Sequence, residues 1–283
     1  MAVTESELVL LACPEWRYPA QALAKRLVIA CLQTPSDIFP PRYLLYDNAG
    51  LALIEHRTIG RKGAVSSSRI RCDFVSGAAR HRRRYGGGTG QALARAVGLS
   101  SGFKPLVADL TAGLGRDGFV LASLGARVIW LERHPIVAAL LADGLDRLRT
   151  AAAFDRQSRD GGDQHEHVLA EIVARLSFYE QDGRAWLEDG CRRDTPDVIY
   201  LDPMFPGRDK SAAVKKEMAA FQELVGGDDD AGKLLDAALK VARYRVVVKR
   251  PRGALFLAER KPTFTLEGKT TRFDVYSLAK IPR

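Results

Sequence analysis

Apolar positions follow two rhythms along this chain. A short apolar run at residues 7–12 reads as a strand, and Ala20 to Leu32 carry apolar residues at helical spacing, so the chain opens with strand then helix. Tyr43–Tyr46 and Leu51–Glu55 are strand-like runs on either side of Asp47-Asn48-Ala49-Gly50, which has the composition of a hairpin turn. With Ile70–Val75 these elements predict a small α+β domain. The composition then changes abruptly at Arg80-His81-Arg82-Arg83-Arg84-Tyr85-Gly86-Gly87-Gly88-Thr89-Gly90. That change predicts a boundary, with residues 1–85 forming the small N-terminal domain and residues 86–283 the larger one.

Beyond the boundary the rhythm alternates regularly. Leu106–Asp109 predicts a strand, the stretch from Arg116 a helix, Arg127–Glu132 a strand and Pro135–Leu148 a helix. Such βαβα order implies a parallel sheet covered by helices. After a polar tract at 151–167, strands are expected near Leu176–Tyr179, Asp197–Leu201 and Tyr244–Lys249. Two more extended runs, Thr263–Leu266 and Arg272–Leu278, are separated only by Glu267–Thr271. Neighbours that close must be antiparallel, because a parallel return needs a dozen or more residues.

Composition narrows the class. Of 283 residues, 46% are hydrophobic and 27% charged, enough for a large core and unlike a disordered or fibrous chain. No apolar run approaches the ~18 residues of a membrane span. Leu8–Cys13 superficially resembles a lipoprotein cleavage site, but Glu5 and Glu7 stand where a leader needs positive charge. Cys13, Cys31, Cys72 and Cys191 form no CxxC pair and are too few to staple this length, which predicts free thiols and a cytoplasmic location. The net charge is +9, and residues 1–85 hold thirteen basic against seven acidic residues. A surplus of this kind raises the prospect of a polyanionic partner without identifying one.

The first candidate for chemistry follows the first strand of the larger domain: Asp109-Leu110-Thr111-Ala112-Gly113-Leu114-Gly115-Arg116-Asp117-Gly118. Glycines let a backbone approach a nucleotide-type ligand, and free N–H groups at the helix start offer donors. Glu132, nineteen residues after Gly113, ends the next strand and can accept both hydroxyls of a ribose. Gly113, Gly115 and Gly118 satisfy the dinucleotide fingerprint, so an NAD-dependent oxidoreductase stays open. Asp109 and the antiparallel final strands suit S-adenosylmethionine better. Its ammonium group can be held by a nearby carboxylate, and it has no pyrophosphate. Asp182 and Gly183, just past the third strand, are placed for the adenine; a plain turn is the alternative.

The second candidate is Asp202-Pro203-Met204-Phe205-Pro206, after the fourth strand. It resembles the (Asn/Asp)-Pro-Pro-(Tyr/Phe) signature of methyltransferases acting on planar amino groups, with Met204 in place of the second proline. The lone pair of such an amine is delocalised, and acceptors on its N–H bonds can orient it for transfer. The Asp202 carboxylate and Pro203 carbonyl can serve as acceptors, and Phe205 offers a stacking face for an extruded base.

Six segments together are similar to the bacterial 16S rRNA guanine-N2 methyltransferase family called small-subunit methyltransferase J. They are Ala78–Arg83, Thr111–Asp117, Leu131–Arg133, Asp202–Pro206, Lys215–Met218 and Val246–Pro251. The resemblance covers most of residues 75–280. It implies an α/β fold, a Rossmann-like class I S-adenosylmethionine-dependent methyltransferase sheet with an antiparallel final strand, plus the small N-terminal α+β domain. It further implies S-adenosylmethionine as cofactor and, as target, one guanosine in the 3′ minor domain of 16S rRNA, in the RNA or the small ribosomal subunit. Arg116, Asp117, Glu132, Arg133 and Asp202 would be cofactor contacts. Where the family tends to have small hydroxyl residues, this chain has Asp182 and Gly183.

The basic residues fit an RNA partner. Arg80, Arg82, Arg83 and Arg84 form the densest positive cluster, and Lys210, Lys215 and Lys216 follow the Asp202 segment, as Lys249, Arg250 and Arg252 follow the fifth strand. A solvated linker is the plain reading of the arginine cluster. His165-Glu166-His167 lacks further ligands at zinc spacing and reads as a solvated loop, so no metal is expected. Transfer to adenine N6 or to a protein amide remains an alternative, as does a non-catalytic RNA-binding module.

Overall fold

The computed structural model describes residues 8–33, 40–59, 64–76, 88–157, 167–189, 195–204, 226–228, 230–268 and 270–282. The predicted boundary at 85 and Phe205, Arg80, Arg82, Arg83, Arg84, Lys210, Lys215 and Lys216 lie outside the described residues. The chain forms two compact units, one holding the residues up to Asp73 together with Pro135–Arg147, the other beginning at Phe74.

In the first unit, the described residues build a five-stranded sheet of order β2-β1-β3-β4-β5. Its members are β1 (Val9–Ala12), β2 (Ala30–Gln33), β3 (Arg42–Asp47), β4 (Gly50–Ile59) and β5 (Ala64–Ile70), with helix α1 (Arg17–Leu27) between β1 and β2. β1 is buried along its whole length and runs parallel to both neighbours, whereas β3, β4 and β5 are antiparallel. Val9, Leu11, Tyr43, Ala52 and Ile54 share one face as a small core. The expected hairpin is present, with Asp47 opposite Gly50.

Two expectations are corrected here. The helical period drawn through Leu32 conceals a stop: Val28 adopts a left-handed conformation (φ 56), and Ile29 N–H bonds Ala24 O at 3.0 Å. That is a Schellman-type ending, which usually carries glycine. With valine there, the apolar rhythm continues unbroken into what is actually β2. The strand expected at Ile70–Val75 is instead β5, ending at Ile70. Its Ser66-Ser67-Ser68 segment at the sheet edge has no apolar alternation to read.

In the second unit the elements follow in the order α2 (Ala92–Ala96), β6 (Leu106–Asp109), α3 (Arg116–Ser123), β7 (Arg127–Leu131), α4 (Pro135–Gln157), α5 (His167–Ala174), β8 (Leu176–Tyr179), α6 (Gly183–Asp189), β9 (Val198–Leu201), α7 (Ala231–Val241), β10 (Arg245–Pro251), β11 (Phe264–Glu267) and β12 (Thr271–Ser277). Only the part of α4 from Leu148 onward belongs to this unit. α4 also runs nine residues past the predicted Leu148. Among the described residues the strands form a seven-stranded sheet of order β11-β12-β10-β9-β6-β7-β8. The five strands from β6 to β10 are parallel, and β12 is antiparallel to both β10 and β11. This is the Rossmann-like α/β arrangement with antiparallel final strands that the alternation implies.

Strand order reverses between β6 and β9, and ligands of open α/β sheets bind beyond the carboxyl ends of strands at such a point. Apolar packing on both faces fixes this edge. On one face Ala108, Ile199, Val246 and Val248 meet Trp186, Leu187 and Leu235 of α6 and α7. Elsewhere in the sheet Trp130, fully buried in β7, stacks on Phe74 with ring centroids 5.5 Å apart, and Phe74 stacks on Phe119 of α3. A Cβ at Gly118 would lie 2.0 Å from Trp130 Nε1. The third glycine of the fingerprint therefore serves helix–strand packing. Gly118→Ala should destabilise the protein by about 1–3 kcal/mol through overpacking, lowering the urea midpoint with an unchanged slope; an unchanged midpoint would contradict the packing role.

Candidate active site

The chain leaves β6 at Asp109 and turns back over the sheet edge through Leu110–Gly115. Leu110 N–H bonds Tyr200 O, Ala112 N–H bonds Leu131 O, and Gly113 and Gly115 take positive φ values of 55 and 68. Those are values that a side chain disfavours, so glycine here answers to the backbone rather than to crowding. Glu132, 7% exposed, accepts Gly113 N–H at 2.9 Å on one carboxylate oxygen and His134 N–H at 2.7 Å on the other. A carboxylate has about four acceptor positions, which leaves capacity for two ribose hydroxyls.

Asp109, Asp117 and Asp202 come together around Lys249, one of the basic residues expected to face RNA. Lys249, within β10, places Nζ 2.8 Å from Asp117 Oδ2 and 2.8 Å from Asp202 Oδ2. Tyr200 of β9 donates its hydroxyl to Asp117 Oδ2 at 2.6 Å. Asp202 N–H bonds Thr111 Oγ1 at 2.6 Å, which ties the ends of β9 and β6 together. Asp109 is 2% exposed, and one oxygen accepts Thr111 N–H at 3.3 Å. Burial, reinforced by Asp117 and Asp202, pushes Asp109 well above the ordinary carboxylate range. Burial also raises Asp202, against the pull of Lys249, and drives the Tyr200 hydroxyl well above its usual value.

The remaining expected residues are placed as follows. Arg116 opens α3, exposed and with no side-chain partner among the described residues. Arg133 is a clamp: it meets Asp228 at 2.6 Å, Asp230 at 2.7 Å and Asp182 at 3.5 Å. Asp182 caps α6 by accepting the N–H groups of Arg184 and Ala185, each at 3.0 Å. At Gly183 an added Cβ would lie 2.8 Å from Leu110 Cβ, so close packing accounts for the glycine. Pro203 is buried. Met204 is held twice by Asp228, whose Oδ2 accepts Met204 N–H at 2.7 Å and whose N–H bonds Met204 O. Arg250, expected on the RNA side, is 7% exposed and donates to Leu255 O.

Thr111, Tyr200, Asp228 and Lys249 are the residues missed by sequence reasoning. Lys249 did carry a signal, since a lysine closing the apolar run Val246-Val247-Val248 beside β9 arrives at the same edge as Asp202. Asp228, in a run of aspartates, carried none.

Among the described residues this edge gathers the acidic side chains of Asp109, Asp117, Glu132 and Asp202 around Lys249. A pyrophosphate placed there would face the carboxylates, whereas a ligand bearing an ammonium and a sulfonium would be drawn to them. The site therefore fits S-adenosylmethionine and opposes NAD. Residues 44–278 match the family described as "Putative SAM-dependent methyltransferase". Fold and site together define a class I S-adenosylmethionine-dependent methyltransferase, with that molecule as cofactor. The chain is 47% identical over 267 residues to ribosomal RNA small subunit methyltransferase J of Cellvibrio japonicus, covering 93% of this chain and 94% of that one. It is 54% identical over 208 residues to the protein of the same name from Tolumonas auensis, covering 74% and 77%. A SAM-dependent methyltransferase from Neisseria gonorrhoeae, seen in a crystal structure, has a TM-score of 0.65 at 33% identity, with 95% of each chain covered. The chain belongs to the small-subunit ribosomal RNA methyltransferase J family.

Two outcomes are expected from this geometry. A raised folded-state value means that the native protein binds a proton the unfolded chain releases. Asp109 thus costs stability as pH rises from its ordinary value near ~4 towards its raised one. Asp109→Asn keeps the acceptor for Thr111 N–H and should be more stable than the parent at neutral pH, with the gap closing towards about pH 4. Thermal midpoints measured across that range check this, and a gap independent of pH would contradict it. Glu132→Gln should weaken S-adenosylhomocysteine binding ten- to a hundredfold by calorimetry, the equivalent of about 1.5–3 kcal/mol for hydrogen bonds to a charged acceptor.

Proposed function

We propose that the chain transfers a methyl group to the exocyclic N2 amino group of one guanosine in the 3′ minor domain of 16S rRNA, acting in the cytoplasm on the RNA or the small ribosomal subunit. The observation that carries this reading is Asp202 itself. It follows β9 at the switch point, Lys249 holds its Oδ2, and its side chain keeps 40% of its surface exposed. Among the described residues, no donor is bonded to its Oδ1 or to the Pro203 carbonyl. In this reading those two acceptors, adjacent in the chain, take the two N–H bonds of an amino group.

Bound S-adenosylmethionine supplies an electrophilic methyl on a sulfonium. In this reading Glu132 holds the ribose hydroxyls, Asp109 the ammonium, and Asp202 and Pro203 hold the amine so that its lone pair is directed at the methyl group. As the N–C bond forms the S–C bond breaks, S-adenosylhomocysteine leaves as the thioether, and the nitrogen sheds one proton to water. Orientation is the main demand, since the acceptor nitrogen needs alignment more than a strong base. Phe205 is assigned the stacking face, and Arg80, Arg82, Arg83, Arg84, Lys210, Lys215 and Lys216 the phosphate contacts. Support for these comes from residue type and from the basic surplus of the chain. The rRNA target is supported by the names of the relatives, and guanine N2 by the family resemblance.

Incubation with labelled S-adenosylmethionine and small subunits lacking the modification, followed by digestion of the RNA to nucleosides, tests the reading. Label is expected in N2-methylguanosine. Label in N6-methyladenosine, or in protein, would keep the amine-orienting chemistry and overturn the target.

A further inference from the structure

We propose that Lys249 is a positioning residue for methyl transfer: its ammonium fixes the Asp202 carboxylate and keeps it in the acceptor form that orients the substrate amine. This rests on the reading of Asp202 given above. The geometry is specific. A single nitrogen bridges Asp202 Oδ2, on the loop after β9, and Asp117 Oδ2, on the first turn of α3, at 2.8 Å each. Because β10 pairs with β9 in parallel register, with Val248 opposite Leu201, Lys249 and Asp202 are the next residues along neighbouring strands. The sheet itself therefore delivers the lysine to the carboxylate.

Charge explains why a lysine is needed there. Asp202 is surrounded by acidic groups from three other elements: Asp109 at the end of β6, Asp117 on α3 and Asp228 before α7. Tyr200 on β9 gives its proton in a hydrogen bond to Asp117 and adds no charge. Lys249 supplies the opposing cation. A protonated Asp202 would lose half its value as an acceptor and point a donor at the amine instead. Lys249 touches neither the cofactor nor the amine in this account; it acts through Asp202.

The test is the single-turnover rate of methyl transfer to unmodified small subunits as a function of pH, at saturating S-adenosylmethionine. In Lys249→Met, removal of the cation leaves Asp202 among like charges. The acidic limb of the profile should then move up by about 1–2 pH units, with much of the rate recovered at alkaline pH. Lys249→Gln, a neutral donor, should show the same shift, and it carries the test if the methionine variant fails to fold. Lys249→Arg should restore the parental profile. A uniform rate loss at every pH in the neutral variants, or an unshifted limb, would overturn the positioning role. Asp202→Asn separates the two readings. If it transfers methyl groups at the parental rate, the amine-orienting premise falls and this proposal falls with it. If it is inactive while Lys249→Met keeps an unshifted profile, only the role of Lys249 is lost.

Discussion

One lysine against a cluster of buried and half-buried carboxylates is the interaction on which the arrangement of this site depends. Asp109, Asp117, Glu132 and Asp202 converge because four separate segments end or begin at the edge where strand order reverses. Without Lys249 their mutual repulsion would be relieved by protonation or by moving apart. With it, Asp117 and Asp202 share one cation, and the hydroxyls of Tyr200 and Thr111 complete the lattice. The surplus of negative charge that remains is what a cationic cofactor would neutralise.

That surplus also has a cost in stability. Asp109 is nearly inaccessible and has no cationic hydrogen-bond partner among the described residues; Thr111 N–H is its polar contact. A buried carboxylate of this sort is retained against the interest of the folded state, which is common where residues serve a ligand. Gly118 and Gly183 illustrate the opposite case. Gly118 closes the fingerprint and Gly183 follows a candidate adenine contact, yet contacts with Trp130 and Leu110 explain them without a ligand. In this site, then, the glycines serve backbone form and packing, and the charge at the sheet edge comes from the acidic residues.

How much of this the sequence discloses depends on the kind of signal each part leaves. β6 to β9 are nearly continuous apolar runs bounded by turns, so their order and the edge they create can be read directly. The Asp109, Glu132 and Asp202 positions follow, because each closes such a run. β2 and β5 are hidden for opposite reasons: a valine in a glycine-type cap lets a helical rhythm run on, and a serine-rich edge strand has no rhythm at all. Lys249 was visible as a residue but not as a partner. Its neighbour across the sheet is fixed by the β9–β10 pairing, and pairing between strands separated by α7 is not encoded in local pattern.

Arg133 has partners that lie far from it in the sequence. The family resemblance makes it an expected cofactor contact, and its guanidinium meets Asp228, Asp230 and Asp182. Asp228 in turn holds both backbone polar groups of Met204, two residues beyond Asp202. The arginine therefore ties the loop after β7, the cap of α6 and the start of α7 to the backbone just beyond Asp202. An exposed ion pair is worth little by itself, but a network that restrains a short loop reduces what must be ordered when substrate arrives. Glu132 and Arg133 thus divide the work between them: the glutamate shapes the glycine turn and is left with acceptor capacity for a ribose, while the arginine, through Asp228, steadies the backbone at Met204.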